Sequence, residues 1–415
     1  MILLFFNLIT NKILLLVLVK IEQKGIKIML YRTMGKTGVR VSILSFGCMR
    51  LPTIDGISNR IDEKKATEMV RYAIDHGVNY FDTAYPYHGK NRSEGGESEP
   101  FIARALQDGY REKVYLATKM PSWLIKKKED LNRYFNQQLD RLETDHLDFY
   151  LLHGLNKEVW KTYKELNIFE FLDKAISSGK IKYAGFSFHD EILLFKEIVD
   201  SYDWSFCQIQ YNYLDEDFQA GKEGLLYAAK KNLGVIIMEP LRGGKIVNLI
   251  PEEGLEIIKQ ADTKKSMVEL ALKWVWKHPE VSTVLSGMSE KQQVIDNIRY
   301  AEEEEKTSLT DLDMNLIKEL KKMFRNRIKI PCTSCGYCLP CSEGVYIPKV
   351  FSYYNNYFLF EGDSHQQNEK SMYNSQLTDE EKASNCIDCG ECEKQCPQNL
   401  PIRKELKKVK TLFED

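Results

Sequence analysis

Eight of the ten cysteines fall in the last 84 residues, in two runs, CTSCGYCLPC from Cys332 and CIDCGECEKQCP from Cys386. Thiolates are soft donors, and several of them closely spaced on one turn can face a single iron-sulfur cube. The second run has the spacing C-x2-C-x2-C-x3-C-P, which is the iron-sulfur pattern in its full form. The first ends in x2 and carries Ser342 where the proline is usual. The candidate ligands are Cys332, Cys335, Cys338, Cys341, Cys386, Cys389, Cys392 and Cys396. Two zinc sites of four cysteines each are the alternative; the three-in-a-row spacing and Pro397 favour iron. Regular pairs in an otherwise cysteine-poor, charged chain point to a reducing compartment, the cytoplasm, rather than to secreted disulfides. Cys48 and Cys207 sit in apolar strand patterns and read as buried thiols.

Four further residues stand where strand patterns end. Asp82 closes the pattern NYFDTA, Tyr87 follows in the next loop, Lys119 ends VYLATK and His153 ends LDFYLLH. Singly, each has a structural reading: a capping aspartate, a loop aromatic, a solvated lysine, a core histidine. Together they make a proton-transfer set. An ammonium beside a phenol favours phenolate and is expected to lower the tyrosine from its usual value of about 10. Tyr87 would then give and recover a proton while His153 orients a carbonyl oxygen.

The elements that must position these groups are an alternation of short apolar runs and amphipathic stretches between residues 43 and 304. Strand patterns begin at Ile43, Asn79, Val114, Leu147, Ile181, Phe206, Gly234 and Val281. Helical periodicity separates them, as in DEKKATEMVRYAIDHG from Asp62 and LNRYFNQQLDRLE from Leu131. Eight such units in about 260 residues imply a closed (β/α)8 TIM barrel, which places all four residues at the C-terminal mouth. A doubly wound open sheet is the alternative, and no GxGxxG follows the first strand to support it. The expected organisation is an N-terminal extension over 1–28, a barrel over 29–305, a helical linker over 306–331 and a small α-helical, ferredoxin-like iron-sulfur domain over 332–415. The apolar stretch before Met29 is interrupted by Asn7, Thr10, Asn11 and Lys12, so it reads as sequence upstream of a true start at Met29 rather than as a membrane span. LTDLDMNLIKELKKMF, after the acidic run, is expected as an exposed helix, and the aromatics of FSYYNNYFLF as core. With 58 basic and 60 acidic residues, net charge −2, neither nucleic acid nor an anionic membrane is an expected partner.

FDTAYPY from Phe81, LATK from Leu116 and YLLH from Tyr150 resemble the aldo-keto reductase family over residues 30 to about 300. The resemblance places the family's catalytic tetrad on Asp82, Tyr87, Lys119 and His153 and implies a nicotinamide cofactor, NADP or NAD. From GFS, QIQYN, MEPLRGG and LSGMSEKQQVIDN it implies that Ser187 and Gln208 hold the carboxamide and that Met238 stands at the ring-stacking place. Leu241 and Gly243 would approach the pyrophosphate, and Ser289, Gln293, Asp296 and Asn297 would line the adenosine pocket. Met238 departs from the tyrosine common there, Phe188 stands where asparagine is frequent, and Gly287 and Gln293 supply no basic pair for a 2′-phosphate. The tail resembles ferredoxin-type extensions of the same family. It implies two [4Fe-4S] clusters with crossed fourth ligands, so that Cys396 joins Cys332, Cys335 and Cys338, and Cys341 joins Cys386, Cys389 and Cys392. The implied activity is nicotinamide-dependent reduction of a small carbonyl substrate, with a ferredoxin or flavodoxin as electron partner. Structural or redox-sensing clusters, or a nicotinamide-sensing binding module, are the alternatives.

Overall fold

The computed structural model describes residues 29–415 apart from Arg92, Glu305, Lys306 and Thr333 to Cys335. The extension expected over 1–28 lies outside the described residues. Two compact units emerge, one running up to Pro240 and resuming at Ala271–Ser308, the other made of Leu241–Leu270 with Leu309–Asp415. A segment of barrel sequence, 241–270, therefore groups with the cysteine-rich tail.

The first unit opens with an antiparallel hairpin, β1 (Tyr31–Thr33) and β2 (Arg40–Ser42), which the sequence patterns do not announce. Eight parallel strands follow: β3 (Leu44–Gly47), β4 (Tyr80–Asp82), β5 (Tyr115–Met120), β6 (Leu147–Leu155), β7 (Ile181–Phe188), β8 (Phe206–Gln210), β9 (Gly234–Met238) and β10 (Val281–Gly287). They pair in chain order, and β10 closes on β3, giving the TIM barrel. Each corresponds to one of the eight strand patterns.

The hairpin explains what fills the N-terminal end of the barrel. Met34, fully buried in the turn after β1, packs with Val41, Tyr80, Phe149 and Phe206 in one apolar cluster. Gly234 at the start of β9 makes room for it, since a Cβ there would collide with the Met34 sulfur. The floor is thus sealed by an apolar plug, and the polar strand ends collect at the other rim.

Three helices bear on the site. α1 (Glu63–Asp75) starts at Asp62, whose carboxylate caps Lys65 N at 3.2 Å, and buries Ala66, Met69, Val70, Ala73 and Ile74 at three- and four-residue spacing. α2 (Ser98–Ala105) follows the Tyr87 loop, and α3 (Lys128–Arg141) packs Leu131, Phe135, Leu139 and, unusually, Gln138 inward.

In the second unit the helix Asp311–Asn326 begins with a Thr310/Asp313 capping box and buries Leu316, Ile317, Leu320, Met323 and Phe324. Against the expectation of an exposed helix, its 3-4 apolar stripe is packed inside this unit. The aromatic segment forms the helix Ile347–Leu359, and Val350, Phe351 and Tyr354 join the tail's core with Tyr373, Leu406, Val409 and Phe413. Among the described residues no helix is long and apolar enough to cross a membrane.

Candidate active site

Asp82, the last residue of β4, and Lys119, the penultimate residue of β5, lie on neighbouring strands, and their side chains are almost wholly buried. The Lys119 ammonium donates to Asp82 Oδ1, to the Thr83 carbonyl at 2.9 Å and to the Tyr87 hydroxyl at 3.3 Å. Tyr87 comes from the loop after β4, and the His153 ring, on β6, meets its ring edge-to-face at 6.1 Å. All four expected residues are therefore brought together at the C-terminal mouth. Trp123 completes the wall, its ring 5.3 Å from that of His153. The sequence reading passes over it, although an aromatic three residues past the end of a barrel strand, in PSWL, is a usable signal.

The electrostatics differ from expectation at Tyr87. Burial pushes its phenol above the usual value, and the neighbouring Lys119 ammonium only partly offsets that. The expected net lowering is therefore reversed in the folded site: desolvation of the phenolate outweighs one ammonium whose charge is already shared with Asp82. Burial works against the Lys119 charge too, but the carboxylate of Asp82 and the tyrosine oxygen prevail, and Lys119 is held as ammonium. Burial raises Asp82, with Lys119 pulling the other way. The result is a neutral, protonated tyrosine fixed by a cation.

The expected nucleotide residues divide into three groups. Ser187 and Gln208, on β7 and β8, stand in register as neighbours and are buried. Ser187 Oγ accepts from Gly154 N at 2.7 Å, which leaves its hydroxyl proton to donate, and Gln208 Oε1 is buried with no hydrogen-bond partner. One donor and one open acceptor side by side match an amide such as nicotinamide's carboxamide. Met238, at the end of β9, accepts from Gln208 Nε2 through its sulfur at 3.4 Å. In the second group, Gln293 caps Ser289 N at 2.9 Å just before the helix Lys291–Glu302. Asp296 pairs with Arg299 at 3.1 Å, and the buried Asn297 amide donates to Ser286 Oγ at 3.0 Å. Lys291 lies 3.8 Å from Glu68. Leu241 and Gly243, the third group, belong to the other compact unit.

In the tail, Cys332, Cys338, Cys341, Cys386, Cys392 and Cys396 border the apolar core, and Cys389 is exposed. Cys335 lies outside the described residues. One cavity is lined by Cys332, Cys338 and Cys396 together with Ile347, Phe351 and Leu400. Elsewhere in the unit, the Cys392 thiol is pushed up to about 11 by burial, by Glu393 and by the thiols of Cys386, Cys389 and Cys341. The cavity of Cys332, Cys338 and Cys396, with its sulfurs set against apolar walls, suits an iron-sulfur cube. Among the described residues no three Cys, His, Asp or Glu side chains converge as a single metal ion requires.

Residues 43–322 match the Aldo/keto reductase family, and residues 331–400 match the 4Fe-4S dicluster domain. The chain belongs to the aldo/keto reductase family. It is 29% identical over 332 residues to the uncharacterized oxidoreductase YrpG of Bacillus subtilis, covering 71% of this chain and 95% of that protein. It is 26% identical over 316 residues to L-glyceraldehyde 3-phosphate reductase of Escherichia coli O157:H7, covering 65% of this chain and 87% of that one. An aldo-keto reductase of Bacillus halodurans in its holo form superposes with a TM-score of 0.58 at 27% identity, covering 70% of this chain and 96% of that chain. This reductase thus carries, beyond the span it shares with such relatives, a tail of the dicluster type.

Proposed function

We propose that this oxidoreductase reduces the carbonyl group of a small molecule at the mouth formed by Asp82, Tyr87, Lys119 and His153, using NADPH or NADH. The observation that carries the reading is the Lys119 ammonium bridging a buried carboxylate and the Tyr87 hydroxyl. When bound, a reduced nicotinamide supplies the hydride. Ser187 and Gln208 hold its carboxamide as donor and acceptor, and Met238 offers a soft, polarizable face nearby. Tyr87, kept protonated by burial, donates its hydroxyl proton to the carbonyl oxygen as negative charge develops there. Lys119 stabilises the phenolate left behind, and Asp82 holds Lys119 charged and in place. His153 directs the carbonyl oxygen toward Tyr87, and Trp123 gives the substrate an apolar wall.

For the tail, the proposed ligand sets are Cys332, Cys335, Cys338 and Cys396 for one [4Fe-4S] cluster and Cys386, Cys389, Cys392 and Cys341 for the other. Their role would be single-electron exchange with a ferredoxin or flavodoxin in a reducing cytoplasm. A second reading, structural or sensing clusters, is favoured by the packing of six of the cysteines against the tail's apolar core. The test is anaerobic purification with iron and sulfide analysis, then stoichiometric NADPH or NADH addition monitored by electron paramagnetic resonance beside carbonyl turnover. Cluster signals that respond to nicotinamide, with Tyr87→Phe losing only carbonyl turnover, support electron exchange. Silent clusters beside intact turnover leave the structural reading. Bound zinc with no iron would overturn both assignments of the tail.

A further inference from the structure

We propose that Glu99 and Arg141 form a bracket behind the barrel mouth that sets the position of Tyr87, making both of them positioning residues for its proton transfer; this rests on the reading of Tyr87 given above. Glu99 lies in the first turn of α2 and is fully buried. A carboxylate is removed from water at a cost of several kcal/mol unless donors surround it. Here they do. Oε1 accepts from Thr118 Oγ1 at 2.7 Å and from Gln138 Nε2 at 2.8 Å, and Oε2 accepts from Arg141 Nε at 2.9 Å. One side chain thus ties α2 to α3 and to β5, next to Lys119. Gln138 extends the tie, donating also to the Lys119 carbonyl at 2.9 Å and accepting from the Tyr150 hydroxyl at 2.8 Å.

The other end of the bracket reaches the Tyr87 loop. Arg141 Nη2 donates to the Gly96 carbonyl, and the guanidinium packs so closely on Gly95 that a Cβ there would lie 2.8 Å from it. Residues 96–98 in turn hold the backbone around Tyr87. Gly96 N donates to Tyr85 O at 2.7 Å, Glu97 N to His88 O at 3.1 Å and Ser98 N to Tyr87 O at 3.1 Å. A Cβ on Gly96 would collide with Tyr87 O, so the approach is as close as backbone allows. The chain of contacts runs from the strand that carries Lys119, through Glu99 and Arg141, to the loop that carries Tyr87. It joins the two residues whose 3.3 Å separation the chemistry needs. None of these groups reaches the mouth itself, so their effect is geometric. A misplacement of about 1 Å at a reacting group costs on the order of 100-fold in rate.

The experiment uses the full-length protein with its clusters, prepared anaerobically, with 4-nitrobenzaldehyde as the carbonyl probe and NADPH binding titrated by fluorescence to count active sites. Glu99→Gln and Arg141→Met are expected to lower kcat per nucleotide site by roughly 10- to 100-fold, to leave NADPH Kd within about twofold and to shift the alkaline limb of the pH–kcat profile. Because both act through one bracket, the double variant is expected to lose no more than the worse single one. Arg141→Lys retains the charge facing Glu99 but not the fork, and is expected to fall in between, which covers the case in which Glu99→Gln does not fold. Unchanged kcat per site with an unmoved pH limb, or losses that multiply in the double variant, would overturn the bracket. If Tyr87→Phe itself retains kcat, the reading of Tyr87 fails and the bracket with it. If Tyr87→Phe is inactive while Glu99→Gln and Arg141→Lys match the parent, only the bracket fails.

Discussion

Replacing Lys119 with methionine keeps the length of the side chain and removes its charge. Asp82 then sits in the barrel with its carboxylate almost wholly buried and its partner cation gone. Breaking a buried pair from one side costs about 3–5 kcal/mol, whereas replacing both partners with neutral groups of similar volume is close to neutral. Lys119→Met is therefore expected to lower stability by about 3–5 kcal/mol, and Asp82→Asn/Lys119→Met to recover most of it. The sign of the pH effect follows from the pair. Burial already raises Asp82, and without Lys119 it rises further, so the penalty is full at neutral pH and shrinks as acid protonates the carboxyl. All five tryptophans lie between residues 123 and 276 and within the barrel unit, so urea unfolding followed by tryptophan fluorescence reports on that unit. Both variants are expected to lose carbonyl reduction by 100-fold or more, on the order expected for disabling a general acid. The reasoning is refuted if the single variant costs less than about 1 kcal/mol, where exposed pairs fall, or if the double variant is as unstable as the single one.

Three further outcomes are expected. Met34→Ala empties the apolar floor of the barrel and should cost about 2–5 kcal/mol in urea unfolding with little change in kcat, since the plug is at the opposite end from the mouth. His88 accepts from Leu51 N through Nε2 at 3.2 Å and contacts Ser58 O through Nδ1 at 2.7 Å, so it is held neutral, and burial lowers it from its ordinary value of 6.5. Its contribution to stability is complete above pH 6.5 and is lost as pH falls from there through the lowered value; His88→Gln should flatten that part of the stability profile, measured by melting temperature against pH. Gln208→Ala removes the open acceptor beside Ser187 and should weaken NADPH binding by roughly tenfold, about the 1–2 kcal/mol of one buried hydrogen bond, as read by fluorescence titration.

Much of the mouth is legible in the sequence because a barrel converts strand ends into a ring. Once eight strand patterns are counted, Asp82, Lys119 and His153 have to share one rim, and Tyr87 is one loop away. The tail's ligands are legible because thiolate spacing is local. What escapes the sequence is non-local. The hairpin that plugs the floor has strands of only three residues, too short for a periodic signal, and the grouping of 241–270 with the tail depends on contacts far apart in the chain. The raised Tyr87 phenol cannot be read either. An ammonium nearby is visible as a residue type, but the degree of burial that outweighs it is a property of the folded site. Glu99 and Gln138 look like ordinary helix residues, and only the fold shows them turned inward.

Isotope transfer tests the central claim most directly. With NADPH deuterated at the nicotinamide C4 and 4-nitrobenzaldehyde as acceptor, we expect deuterium at the carbinol carbon of the product, with roughly a 100-fold or greater loss of rate in Tyr87→Phe. A product without label, or a Tyr87→Phe variant that turns over at the parent rate, would contradict carbonyl reduction by hydride transfer with Tyr87 as the proton donor.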